Sequence, residues 1–323
     1  MNFAEFQERL NKEIHQLEFP GEPRELYDPA KYIISLGGKR LRPMLVLLGC
    51  ELAGGNIEDA IKPALGIELF HNFTLMHDDI MDQAPLRRGN PTVHTKWNTN
   101  IAILSGDLLF TMASRMVAEA PHSILREVLD VFYLNAARVC EGQQWDMNFE
   151  QVTNPSIDEY IMMIRLKTAV LLGASLQIGA LCGGATMEEA QKLYEAGCSL
   201  GISFQLQDDM LDVYGTSDSI GKRKGGDILS NKKTFLKLKA MEKADPNQKK
   251  ALLNWYSSQD FENQEKINSV TGIFDKLEIK EETEKLSGFY FNQGMEMIRA
   301  LSFRQEKKVF LTDFLMTLVD RTY

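Results

Sequence analysis

The sequence predicts an all-α protein, one large helical bundle over residues 1–323, and three observations carry that reading. Apolar residues recur at three- and four-residue spacing over long stretches, which is the period of a helix face. Nine of the ten prolines fall by Pro155, mostly at breaks between such stretches, and none occurs between Pro155 and Pro246. No alternating apolar and polar run bounded by turn residues makes a strand. With 44% hydrophobic content, the chain has enough apolar side chain for a large core.

The elements follow in order. Met1 to Leu17 is charged and amphipathic, so it does not read as a signal peptide. Helices are expected over Leu41–Ala53, Ala60–Met81, Ile101–Ala118, Ile124–Met147, Ile157–Leu181 and Glu188–Tyr214. Several are apolar nearly all round, the mark of interior helices in a bundle. Val170 to Met187 carries no charge over 18 residues but contains Ser175, Gln177 and four glycines. It reads as a buried helix, and no transmembrane segment is expected. No linker rich in Gly, Pro or Ser divides the chain, so a single domain is expected.

Composition excludes some functions. A formal net charge of −9 argues against a general nucleic-acid surface. The cysteines (Cys50, Cys140, Cys182, Cys198) are scattered, with no CxxC, as expected of free thiols in a reducing cytoplasm.

The chemistry is concentrated in a repeated acidic pattern. Asp78-Asp79-Ile80-Met81-Asp82 and Asp208-Asp209-Met210-Leu211-Asp212 both read DDxxD, each at the end of an apolar run. On a helix, positions i and i+4 share a face, so Asp78 pairs with Asp82 and Asp208 with Asp212. Like charges at that spacing destabilise a helix by roughly 0.2–0.5 kcal/mol per pair. Two such penalties point to two halves of one divalent-cation site. Basic stretches accompany them: Gly37-Gly38-Lys39-Arg40-Leu41-Arg42-Pro43, Leu86-Arg87-Arg88-Gly89, Gly221-Lys222-Arg223-Lys224-Gly225-Gly226-Asp227 and Asn231-Lys232-Lys233-Thr234. Glycines followed by cations and free helix N–H groups suit phosphate. Single residues are read more plainly. His77 and His94 are neighbours of the chemistry, and Asp107, inside an apolar run, is expected to be a buried, paired carboxylate with a structural role.

The ordered set GGKRLRP, HDDIMDQAPLRRG, Lys167-Thr168, FQLQDDMLD and GKRKGGDILSNKKT resembles the trans-isoprenyl diphosphate synthases of the polyprenyl synthetase type, particularly short-chain members making geranylgeranyl or farnesyl diphosphate. The resemblance implies an isoprenoid-synthase-type helical bundle around a deep central cavity, usually a homodimer. It implies a prenyltransferase that condenses isopentenyl diphosphate with dimethylallyl, geranyl or farnesyl diphosphate. By matching positions, Asp78, Asp79, Asp82, Asp208 and Asp209 would hold Mg²⁺ (or Mn²⁺ as a substitute) on the allylic diphosphate, with Asp212 in a weaker role. Arg87, Lys167, Lys222 and Lys232 would contact that diphosphate; Lys39, Arg42, His71 and Arg88 would bind isopentenyl diphosphate; Thr168 and Gln205 would line the reacting centre.

Chain length is expected to be set on the helix of the first motif. Phe73 lies five residues before Asp78, about 7.5 Å along the axis, and Phe70 eight before, about 12 Å. A large aromatic at Phe73 resembles short-chain members. Thr74 departs from the double-aromatic pattern of animal and fungal farnesyl synthases, and the first motif lacks the two-residue insertion of bacterial ones. Geranylgeranyl diphosphate is therefore favoured over farnesyl diphosphate. Two other readings are a terpene cyclase on the same fold and a non-catalytic subunit of a hetero-oligomeric synthase. The former usually replaces the second DDxxD, and the latter tends to lose both motifs.

Overall fold

The computed structural model describes residues 3–152, 155–215, 225–258 and 261–319. The structure is 80% helical, and its only strands among the described residues are the two-residue pair β1 (Leu86–Arg87) and β2 (Asn90–Pro91). The helices are α1 (Phe3–His15), α2 (Arg24–Ser35), α3 (Leu41–Ala53), α4 (Glu58–Met81), α5 (Val93–Lys96), α6 (Thr99–Val117), α7 (Leu125–Gln151) and α8 (Ile157–Ile164). A π-helical turn, Arg165–Ala169, follows, then α9 (Val170–Cys182) and α10 (Met187–Tyr214). Last come α11 (Gly226–Leu229), α12 (Phe235–Lys243), α13 (Pro246–Ser257), α14 (Asn263–Lys276), α15 (Ile279–Arg299) and α16 (Gln305–Val319).

Local sequence sets many of these ends. Ser156 and Glu159 form a capping box that starts α8, and Asp245 and Gln248 form another at α13, with Pro246 in the first turn. Asn98 accepts from the Ile101 amide at 2.9 Å to open α6. Pro43 lies inside α3 rather than at a break, but at the third position, where a backbone N–H has no acceptor within the helix.

The chain forms two compact units, each assembled from separated stretches. The first comprises Met1–Ala137, Leu171–Gly197 and Met297–Thr317. Its centre is α4, buried nearly all round from Ala60 to Phe70 and packed against α3 and α6. The uncharged stretch is buried here: every residue from Leu171 to Cys182 is inside. The segment Ile157–Cys182 is long and apolar enough to cross a membrane, yet 67% of its most apolar stretch is buried within the protein, as in a core helix. The second unit comprises Arg138–Val170, Cys198–Glu296 and Leu318–Tyr323. One of its cores gathers Val213, Ile228, Leu236, Leu252, Val270 and Phe274 from α10 to α14.

Helices α3 and α9 approach backbone to backbone at Gly179, where an added Cβ would lie 1.9 Å from the Val46 carbonyl oxygen. Alanine in a helix normally gains about 1 kcal/mol over glycine. Here the overlap wins, because backbone must move. Gly179→Ala is expected to destabilise the protein by about 3 kcal/mol, read as a lower urea midpoint at unchanged slope; an unchanged midpoint would refute the close approach.

Candidate active site

The expected site residues divide between the two units. In the first, Asp78 and Asp79 occupy the last turn of α4 and Asp82 is its C-cap. Carboxylates at a helix C-terminus face the negative end of the helix dipole, so this cluster needs cations. One is built in. Arg87 donates through Nε to both oxygens of Asp79, at 2.9 and 2.8 Å, and through Nη2 at 2.7 Å. Asp79 is 2% exposed; burial pushes its carboxyl up, and Arg87 offsets part of that rise. Asp78 and Asp82 are more open: the Asp78 carboxylate is 21% exposed and lies 3.6 Å from Arg87, while Asp82 is exposed.

The cations expected on isopentenyl diphosphate gather nearby on the same unit. Lys39 is exposed on the Gly37–Pro43 turn, while Arg42 is half-buried just inside α3. Arg42 Nη1 lies 3.2 Å from His71 Nε2. Arginine only donates, so that ring nitrogen accepts. Burial, then Arg42, Arg88, Arg87 and Arg40, push the His71 pKa well down, so the ring is neutral. Arg88 hydrogen-bonds the Gly37 carbonyl, tying the loop after the first motif to this turn.

Along α4, Phe73 meets Phe110 of α6 with ring centroids 5.4 Å apart, Phe70 at 5.6 Å and His77 at 4.7 Å. Phe132 of α7 closes on Phe70 at 5.5 Å. Thr74 turns its hydroxyl onto the His71 carbonyl at 2.8 Å. One expectation is corrected: Asp107 is not buried. Its side chain is 60% exposed, 4.0 Å from His77 Nε2. The apolar run misleads because this face of α6 is open, with Ile103 43% and Leu104 59% exposed.

In the second unit, the second motif ends α10, and its three carboxylates have different surroundings. Asp208 is exposed. Asp209 is 5% exposed, with Tyr160 donating to Oδ2 and Gln205 Nε2 donating to Oδ1 at 2.9 Å. Burial and the neighbouring Asp227 push its pKa well up, against the two hydrogen bonds. Asp212 Oδ2 accepts from the Asp227 amide at 3.0 Å, at the start of the short α11. Thr168 donates to Gln205 Oε1 at 3.0 Å, so the two residues expected at the reacting centre do meet.

Lys167 and Lys232 also meet, through a residue the motif reading passed over. Asp146 Oδ2 accepts from Lys167 Nζ at 2.7 Å and from Lys232 Nζ at 3.3 Å. Burial raises the Asp146 carboxyl, but the two lysines prevail and hold it below the usual range. Lys167 sits on the π-helical turn, which comes so close to α7 that a Cβ on Gly142 would be 2.1 Å from the Lys167 nitrogen. Gly142 and Asp146 are one turn apart on α7, so the close approach at Gly142 brings Asp146 to the same turn. Lys222 lies outside the described residues.

Among the described residues, no three His, Cys, Asp or Glu side chains converge as a metal cage. Asp78, Asp82 and Asp208 are hard oxygen donors not enclosed by protein. Carboxylate oxygens open to solvent are the ligand type that a Mg²⁺-like ion prefers, since such an ion usually keeps several waters.

A family model described as Polyprenyl synthetase matches residues 23–274. The chain is 42% identical over 223 residues to a geranylgeranyl diphosphate synthase of Methanosarcina mazei, covering 68% of this chain and 69% of that protein. It is 34% identical over 312 residues to a short chain isoprenyl diphosphate synthase of Methanothermobacter thermautotrophicus, covering 96% and 94%. The crystal structure of a geranylgeranyl pyrophosphate synthetase from Pyrococcus horikoshii superimposes with a TM-score of 0.91 at 34% identity, covering 99% of this chain and 98% of that one.

Proposed function

Because this chain belongs to the polyprenyl synthetase family and is a short-chain trans-prenyltransferase, we propose that it condenses isopentenyl diphosphate with an allylic diphosphate to make chiefly geranylgeranyl diphosphate. The observation that carries the product assignment is the aromatic stack of Phe73, Phe110, Phe70 and Phe132, which begins about 7.5 Å below Asp78 on α4.

The family uses a divalent metal, and here Mg²⁺ would be held by Asp78, Asp82 and Asp208 on the allylic diphosphate. When bound, Mg²⁺ supplies Lewis-acid stabilisation of charge on diphosphate oxygens. The chain's own groups do the rest. Arg87, anchored on Asp79, and Lys167 and Lys232, gathered on Asp146, present preformed positive charge to the allylic diphosphate. The allylic C–O bond breaks with its electron pair leaving on pyrophosphate. Thr168 and Gln205, already bonded to each other, line the cation that remains. Lys39, Arg42 and Arg88 hold isopentenyl diphosphate so that its double bond attacks that cation. The neutral His71 keeps Arg42 aimed, and the departing pyrophosphate takes the proton lost from the new chain.

We also propose a homodimer, supported by Ile103 and Leu104 of α6 and Tyr133 and Leu134 of α7, all at least 43% exposed. Free cysteines, three of them buried, support a cytoplasmic location.

Incubating the protein with labelled isopentenyl diphosphate and each allylic primer tests the reading. A twenty-carbon diphosphate is expected, and hydrocarbon released from an allylic diphosphate alone would overturn it. Phe73→Ala is expected to lengthen the product by about one five-carbon unit, since Phe70 remains one turn below. Removing Phe110 as well should lengthen it further. An unchanged product from the double variant would exclude the stack as the floor.

A further inference from the structure

The run Lys39-Arg40-Leu41-Arg42 does not present its three cations alike. Lys39 is exposed and Arg42 half-buried, but Arg40 is 8% exposed and turned inward. Its Nη1 meets Glu68 Oε1 on α4, and its Nη2 donates at 2.6 Å to the Ile34 carbonyl at the end of α2. Glu68 is 4% exposed, and the same oxygen accepts from Asn72 Nδ2 at 2.8 Å.

Two features ask for that anchor. The first is backbone: Gly37, Gly38 and Arg40 all have positive φ, of 76°, 127° and 49°. For a side-chain-bearing residue such as Arg40, the left-handed region persists only where surroundings over-determine it. A guanidinium tied at once to α2 and α4 does so. The second is charge: Arg40, Arg42, Arg87 and Arg88 all press on His71. Asp79 is committed to Arg87, while Glu68 faces Arg40 directly and also attracts Arg88. Replacing a buried ion pair by apolar side chains of the same volume is often neutral or stabilising, so fold stability is a weak reason for this one.

We infer that Glu68 is a positioning residue: acting through Arg40, its carboxylate fixes the Gly37–Pro43 turn and so aims Lys39 and Arg42 at the diphosphate of isopentenyl diphosphate. The inference rests on the ligand assigned to those cations above. Neither Glu68 nor Arg40 touches substrate, since both are enclosed.

The test compares Glu68→Gln with the double variant Arg40→Met/Glu68→Leu. Melting temperature, the KM for each substrate, kcat, and calorimetric binding of isopentenyl diphosphate without metal are all measured. Glu68→Gln is expected to raise the KM for isopentenyl diphosphate at least tenfold and weaken its binding equally, with the allylic KM within twofold of wild type. The double variant is expected to recover the melting temperature but not the isopentenyl diphosphate KM. Recovery of both together, an unchanged KM in Glu68→Gln, or equal rises for both substrates would show a structural pair only and overturn the inference. If the wild type binds isopentenyl diphosphate but does not elongate it, the proposed reaction fails while the positioning role stands on the binding data. If the wild type does not bind it, both fail.

Discussion

Asp78→Ala is expected to lower kcat/KM about a thousandfold, about 4 kcal/mol of transition-state stabilisation, and to raise the Mg²⁺ concentration needed for half-maximal activity. The carboxylate lies in the last turn of α4, 21% exposed, and is one of the oxygen donors proposed above to hold the metal. EDTA should abolish wild-type turnover, and added Mg²⁺ should restore it. Asp79→Ala separates metal binding from anchoring. It leaves Arg87, 16% exposed, without the carboxylate that holds it at three contacts. Loss of a buried pair's partner costs about 3 kcal/mol or more, so this variant should melt lower, whereas Asp78→Ala should not. A metal titration and a thermal melt on both variants decide the matter. Equal metal dependence in Asp78→Ala and wild type would remove Asp78 from the metal site.

The second large effect is expected at Asp146. Lys167 and Lys232 share one of its oxygens, which keeps their ammonium groups within about 6 Å of each other. At an effective dielectric of about 20, two such charges repel by about 3 kcal/mol. Two outcomes compete when the carboxylate is removed. The lysines lose a rival for diphosphate, which favours binding, but they also lose what gathers them before substrate arrives. The repulsion and the rotamer freedom regained by two long side chains outweigh the lost competition. Asp146→Ala should therefore raise the allylic KM and lower kcat/KM about a hundredfold, with the isopentenyl diphosphate KM little changed. A lower allylic KM would mean that Asp146 only competes. The folded Asp146 pKa is depressed, so its stabilising contribution is complete above the ordinary aspartate value of about 3.9 and is lost as pH falls below it. The clamp is thus in place throughout the neutral range.

Much of the fold is legible along the chain. The expected Leu41–Ala53 matches α3 residue for residue, and Glu188–Tyr214 differs from α10 by one residue. These helices are local: apolar spacing, a glycine stop or a polar cap is sufficient to place them. Ile157–Leu181 shows where that reasoning ends. Periodicity runs through it unbroken, but the helix passes through a π turn at Arg165–Ala169, carrying Lys167 and Thr168. Extra residues in a turn leave little trace in hydrophobic spacing, and such turns recur at functional sites. The same applies to Asp107, whose apolar run predicts core but forms an exposed face of α6.

The doubled DDxxD and the basic turns point, by residue type and spacing alone, to a diphosphate and a divalent cation. Spacing places carboxylates on a shared helix face, and that much needs no tertiary structure. How deeply each carboxylate is buried, and what it bonds, was decided only by the fold. Asp79 is buried against Arg87, and Asp209 against Tyr160 and Gln205, while Asp78 is partly exposed beside Arg87 and Asp82 and Asp208 are exposed. Glu68 and Asp146 emerged in the same way, as counter-ions that gather cations distant in sequence. The physical reason is desolvation: a carboxylate's role depends on whether it is buried and on which donor is buried with it, and long-range contacts set both.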